Sequence, residues 1–379
     1  MSDQSEACVI EKQIAMHIPA RKAITYPIKV GLNLLSYPET WLPENWRTKR
    51  VVIITDDNVN KIYGEKLSQL LRETSPLLLS FLPGEQSKNA QIKLQLEEQM
   101  LQAHCDRETL ILALGGGVVG DMAGFIAATY MRGVSYIQIP TTLLAMVDSS
   151  VGGKTSINLP QGKNLVGAFW QPSCVVADIN CLSTLQQEHL VHGFIEAIKM
   201  FLTHDADYFN YAYHQIDNVI SRNTAVLKNI IQRAIQIKVD VVSADEQESN
   251  QRMILNFGHT IGHALEAVSA YTLLHGYAVA LGILVEATIA KLLGILSGED
   301  HHVIQSLLLK LNISGNPLKE IEIDRLIQAT KTDKKIRNNQ VRYVLLKKIG
   351  TVYYENGSAA CFVSDEIVAK ALQDVRGGV

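Results

Sequence analysis

The fold turns on ETLILALGGGVVGDMAGF, Glu108 to Phe125. Residues 110–114 form an unbroken apolar run, three glycines follow, and a helical pattern begins. A strand covered on both faces has no polar side to alternate with. A continuous apolar run, a glycine turn and a helix therefore mark a parallel sheet. The same alternation extends outward. RVVIITDDNV (50–59) is an apolar strand ending in polar residues, NAQIKLQLEEQMLQAH (89–104) has helical spacing, and VSYIQIPTT (134–142) is a further strand. From about Thr184 the patterns lengthen and become helical: LQQEHLVHGFIEAIKMFLTH (185–204), AVLKNIIQRAIQIKVDVVSADEQ (225–247) and HGYAVALGILVEATIAKLLG (275–294). The spacing predicts an α/β domain over 1–185 and an all-α domain over 186–379. No Pro/Ser-rich linker separates them, so they should pack directly and leave a cleft.

With 35 basic and 38 acidic residues, the net charge of −3 gives no field for nucleic acid or an anionic membrane. An anionic substrate must be held by local cations. Five scattered cysteines with no CxxC pair fit a reducing cytoplasm. The polar, acidic start lacks a signal-peptide pattern. The most apolar helix is interrupted by Glu286 and Lys291 and reads as buried, so no membrane partner is expected.

Gly115, Gly117 and Gly120 satisfy G-x-G-x-x-G, but no acidic residue follows at the usual distance. Spacing alone leaves a dinucleotide site and a tight packing turn equally open. The carboxylate for a ribose would stand at the end of VVIIT, as Asp56 or Asp57, and PGEQSKN adds Glu85 and Lys88.

LNFGHTIGHALE (255–266) holds His259 and His263 four apart, with Thr260 where a metalloprotease has its glutamate. A catalytic metal needs three protein ligands. His275 and Glu196 are the further candidates beside the two histidines. If helical, Arg252, Asn256, His259 and His263 form a stripe of polar groups at the spacing of a buried face. Such groups must meet partners or a ligand. With Lys199 and Lys238 nearby, the helical half suits a metal and a multiply anionic small molecule.

PGEQSKN, GGGVVGDMAGF, YMRG, IPTTLLAMVDSSVGGKTSIN, GKNLVGAF, EAIK, RMILNFGHTIGHALE, LHG and DKK (333–335) together resemble the 3-dehydroquinate synthase family over nearly the whole chain. The resemblance implies an NAD site on the parallel-sheet domain and a metal site, zinc or cobalt, on the helical one. Implied metal ligands are Glu196, His259 and His275, which leaves His263 to the substrate phosphate. Implied NAD neighbours are Asp56, Asn58, Glu85, Lys88, Gly116, Gly117, Val118, Asp121, Thr141, Thr142, Lys154, Lys163 and Cys181, Leu182, Ser183, Thr184. Implied substrate residues are Asp148, Lys154, Lys163, Asn164, Lys199, Lys238, Arg252, Asn256 and His263, with Lys334 or Lys335. Arg132 would reach the neighbouring subunit's phosphate, which implies a homodimer. The family's reaction takes 3-deoxy-D-arabino-heptulosonate 7-phosphate to 3-dehydroquinate in the shikimate pathway of aromatic amino-acid synthesis. It runs through transient oxidation by NAD, phosphate loss, re-reduction and aldol closure. Departures are FIEAIKMF, the Ser-Asn of SADEQESNQR and the unmatched first dozen residues. The rival readings are a cyclase for a substrate without a carboxylate, a metal-dependent polyol dehydrogenase, and a non-catalytic binding module.

Overall fold

The computed structural model describes residues 23–248, 250–313, 316–331 and 341–378. Lys334 and Lys335 lie outside them.

Six parallel strands make the central sheet: β1 (Ile28–Gly31), β2 (Val51–Asp56), β3 (Leu77–Phe81), β4 (Leu110–Gly115), β5 (Ser135–Pro140) and β8 (Cys174–Asp178), in spatial order β1-β8-β5-β4-β2-β3. The unbroken apolar runs follow from burial on both faces. Val52, Ile54, Ile111 and Ala113 pack on one side with Leu96 and Met100 of α1 (Ala90–Gln102) and Val119, Met122 and Ile126 of α2 (Gly117–Thr129). Val51, Ile53, Leu110, Leu112 and Leu114 pack on the other with Trp41, Trp46, Leu67 and Leu71. An antiparallel hairpin, β6 (Lys154–Leu159) and β7 (Gly162–Phe169), stands apart from the sheet and is fixed to it by Asn158 N–H donating to the Lys88 carbonyl (2.7 Å).

The second half is built from α3 (Gln187–His204), α4 (Thr224–Ala244), α5 (His259–Val268), α6 (His275–Leu292) and a closing helix α7 (Asp365–Gly378). Among the described helices, α6 alone has the length and apolarity of a membrane span, and 78 % of it is buried as the middle of this half. Near its end the helical half also carries two short antiparallel pairs, β9 (Arg342–Val344) with β12 (Ala360–Phe362) and β10 (Leu346–Lys348) with β11 (Thr351–Val352). They are too short to announce themselves by alternation.

The polar stripe is not one helix. Gln251–Asn256 is a 3₁₀ turn, and Gly258 takes φ +77° before α5 starts at His259. Arg252 and Asn256 therefore reach the cleft from a different element than the histidines. A Cβ on Gly258 would sit 2.9 Å from the Ile283 nitrogen and the Val279 oxygen of α6. Left-handed backbone and backbone contact together set the expected cost of Gly258→Ala at about 3 kcal/mol or more. Denaturant unfolding checks it, and a loss below about 1 kcal/mol would mean that α5 and α6 can separate without penalty.

Candidate functional site

A cleft of about 1640 Å³ runs from the C-terminal ends of the strands, across the hairpin, to the first turns of α5 and α6. Ligands of open α/β sheets bind at those strand ends.

On the sheet side the glycine loop divides its labour. A Cβ at Gly115 would strike Val119 at 2.5 Å, and one at Gly120 would strike Gln138 at 2.6 Å, so these two serve packing. Gly116 and Gly117 face the cleft with Val118. The first turn of α2 has no capping side chain, so its amides are available to an anion. Asp56 lines the cleft and caps the following turn, accepting from Asn58 and Val59 N–H. Burial pushes its carboxyl up, partly offset by those two amides. Asp57 instead accepts from Ser80 (2.6 Å) and does not line the cleft, which separates the two candidates. Lys88 donates to Asp121 and Asn164, both at 2.5 Å, and Asn158 donates to Glu85 (2.7 Å), so the hairpin is tied to the PGEQSKN loop. Thr141, Thr142, Cys181 and Thr184 also line the cleft; Leu182 and Ser183 do not.

On the helical side, α3 places Glu196, fully buried, one turn before Lys199. Lys199 Nζ lies 2.5 Å from Glu196 Oε2 and 3.7 Å from Asp148, which also pairs with Lys238. Burial works against the Asp148 charge, but Lys238 and Lys199 overcome it and hold the carboxyl well below its usual range. Lys199 is raised: burial opposes its charge, and Glu196 and Asp148 outweigh it. Burial lowers Lys238, with Asp148 pulling the other way. Arg252, 2 % exposed, is oriented by the Glu246 carbonyl (2.5 Å) and the Gly152 carbonyl (3.3 Å). Asn256 completes this wall, and Lys154, Lys163 and Asn164 line the cleft from the hairpin.

Glu196 Oε1 is buried and accepts no hydrogen bond from the described residues. It faces His259 Nε2 at 3.7 Å and His275 Nε2 at 3.6 Å. His259 Nδ1–H donates to the Phe257 carbonyl (3.1 Å) and His275 Nδ1–H to Glu266 (3.2 Å). Each ring therefore keeps its Nε2 for the side of the orphaned carboxylate oxygen. Three converging donors, two with oriented outer nitrogens, are a fit for a divalent cation. Burial pulls His275 down, but Glu196 and Glu266 push it up to about 10, so the site favours an added positive charge. His263 Nδ1 or Nε2, Glu266 and His275 form a second possible group. His263 sits edge-on to His259, ring centres 5.3 Å apart, on the cleft wall. Arg132 lies outside this cleft, exposed, in a left-handed turn (φ +68°) after α2.

Two residues of the wall are absent from the candidates read from the sequence. Glu248 pairs with Lys154 and accepts from Asn256 (2.7 Å). Glu266 is buried between His275 and Lys163. Its place three residues after His263, on the same helix face, was the available clue.

The chain is similar to known proteins over most of its length. A profile described as 3-dehydroquinate synthase N-terminal matches residues 78–192, and one described as 3-dehydroquinate synthase C-terminal matches 193–336. A 3-dehydroquinate synthase of Psychrobacter cryohalolentis is 40 % identical over 325 residues, 85 % of this chain and 88 % of that one. Among solved structures, a 2-deoxy-scyllo-inosose synthase with carbaglucose-6-phosphate, NAD+ and Co2+ superposes with TM-score 0.82 at 27 % identity, covering 92 % of this chain and 96 % of that one. A 2-epi-5-epi-valiolone synthase of Streptomyces hygroscopicus with NAD+ and Zn2+ gives 0.84 at 25 % identity, covering 95 % and 99 %.

Proposed function

The chain belongs to the 3-dehydroquinate synthase family, and from that membership we infer that its cleft forms 3-dehydroquinate and phosphate from 3-deoxy-D-arabino-heptulosonate 7-phosphate. The observation that carries the reading is the orphaned Glu196 oxygen between two imidazoles, in a cleft that also holds glycine amides and a cluster of lysines and arginine. Bound NAD supplies a hydride acceptor that later returns the hydride, and a divalent cation, zinc or cobalt, supplies a Lewis acid at the oxygen being oxidised.

This chain's residues do the rest. Glu196, His259 and His275 would hold the cation. The amides at Gly116 to Val118 would hold the pyrophosphate of NAD, with Asp56 at a ribose. Lys238 and Arg252 suit a carboxylate, Arg252 through its planar fork. Lys154, Lys199, Asn164 and His263 suit the phosphate as it leaves. The net reaction is elimination, so we class the enzyme as a carbon–oxygen lyase. The division near residue 185 would then separate NAD binding from metal binding, with the reaction in the cleft between. Arg132, exposed outside its own cleft, would serve the phosphate of a second copy in a homodimer. Four buried free cysteines among the described residues suit a cytoplasmic enzyme.

Phosphate release from the heptulosonate substrate, with NAD and zinc and with a chelator-treated control, tests the reading while NADH absorbance is followed. Release that stops on chelation, without net NADH, is the expected result. Steady NADH accumulation with a simple polyol would move the chain to the dehydrogenases. Arg252→Leu addresses the substrate's carboxylate: KM should rise by at least about tenfold, or turnover vanish, as a charge-assisted bond worth roughly 1.5–3 kcal/mol is lost. Unchanged kinetics would remove Arg252 from the carboxylate site, and with it the argument against cyclases whose substrates lack that group.

A further inference from the structure

Glu266 has no task in the reaction described above, yet it is buried and both of its oxygens are engaged in the site's frame. It lies two turns after His259 on α5 and is 2 % exposed. Its Oε2 accepts from His275 Nδ1–H (3.2 Å) and its Oε1 from Lys163 Nζ (2.8 Å). Lys163 belongs to β7, and its ammonium lies 4.5 Å over the Tyr271 ring. One carboxylate thus ties a hairpin of the α/β half to the first residue of α6.

His263, Glu266 and His275 could also hold a cation between them, as Glu196, His259 and His275 could. The engaged atoms separate the two arrangements. Both Glu266 oxygens already accept from a donor, whereas Glu196 Oε1 accepts from none of the described residues. His275 has one nitrogen for each side, which leaves Nε2 for the cation and Nδ1–H for Glu266.

We propose that Glu266 is a positioning residue that fixes the His275 ring and couples the grip on the cation to the state of Lys163. The proposal rests on the ligand set Glu196, His259 and His275. A carboxylate behind a ligating imidazole holds its tautomer and raises its basicity. Lys163 shares that carboxylate and offsets its charge. When an anionic ligand draws Lys163 away, the whole charge of Glu266 falls to His275 and the cation is held more tightly. By reciprocity the cation favours capture of the anion at Lys163.

The test is zinc affinity by competition with a chromophoric chelator, and the visible spectrum of the cobalt-loaded protein, for Glu266→Gln, Lys163→Met and His275→Ala. Glu266→Gln should weaken zinc by about 10–100-fold and shift the cobalt bands, with one cation per chain retained. Lys163→Met should tighten zinc by about threefold or more, since a nearby positive charge is gone. A merely structural role would not move the two variants in opposite directions. Wild-type affinity and spectrum in Glu266→Gln would overturn the proposal. So would two cations per wild-type chain falling to one in Glu266→Gln, which would make Glu266 a ligand. If Glu266→Gln does not fold, Lys163→Met decides alone, and weaker zinc binding there overturns the coupling. Unchanged affinity in His275→Ala would instead overturn the ligand set itself, and the proposal with it.

Discussion

His259→Ala should lower phosphate release from 3-deoxy-D-arabino-heptulosonate 7-phosphate by about 10³-fold or more, the loss of roughly 4 kcal/mol of charge stabilisation at the oxidised oxygen. The size follows from the geometry. Glu196 is fully buried, and its Oε1 faces the two imidazole nitrogens while accepting no hydrogen bond from the described residues. Removing one leaves two donors where a catalytic cation needs three. His275, pushed up to about 10 by the two glutamates despite its burial, holds a proton that the cation must displace. Zinc should therefore bind about tenfold more tightly for each pH unit gained between about pH 6 and 8, as one proton is released per cation. Activity within tenfold of the parent, or zinc binding flat across that range, would show that the cation is held elsewhere.

The second large effect concerns Asp148, which stands between two lysines that are themselves nearly buried. Asp148→Asn leaves Lys199 and Lys238 facing each other with Glu196 as the remaining carboxylate. Breaking a buried pair in this way costs about 3–5 kcal/mol. The sign with pH is fixed by the depressed carboxyl. Its contribution is complete above the unfolded value near 4 and fades as pH falls toward the lower folded value. The gap between variant and parent should be widest near pH 7 and narrow below about pH 3. Added inorganic phosphate should stabilise the variant more than the parent, since the anion replaces the missing charge between the lysines. Urea unfolding at the two pH values, with and without phosphate, reads all of this. A variant as stable as the parent at pH 7 would mean that the lysines are solvated rather than paired.

The parts of the fold that were legible in the sequence are those where one physical demand acts alone. β2, β4 and β5 must satisfy burial on both faces, so their apolar runs are unbroken. α3, α4 and α6 are long enough for periodicity to show. β1, only four residues and half-buried, carries no comparable pattern, and β7 faces solvent along most of its length. The polar stripe misled for a local reason: Gly258 breaks the helix that its spacing assumed. The ligand candidates were visible because histidines are rare in apolar helices. Glu248 and Glu266 were not, because Glu248 lies in a polar, acidic stretch and Glu266 ends its motif in the place a solvated glutamate could also take. Only the fold shows that Glu266 is buried.

The sheet order has a consequence for how the molecule is made. β1 pairs with β8, Ile28 beside Val175, and the Asp178 carboxylate accepts the Asn33 and Leu35 amides. On the ribosome, β1 emerges long before β8, its neighbour among the described strands, has been synthesised. β2, β4 and β5 can pair as they appear, whereas β1 stays at the sheet edge until β8 arrives. Completion of the α/β half thus coincides with the appearance of α3, so the surface that will form one wall of the cleft is finished just as the opposite wall begins to leave the tunnel.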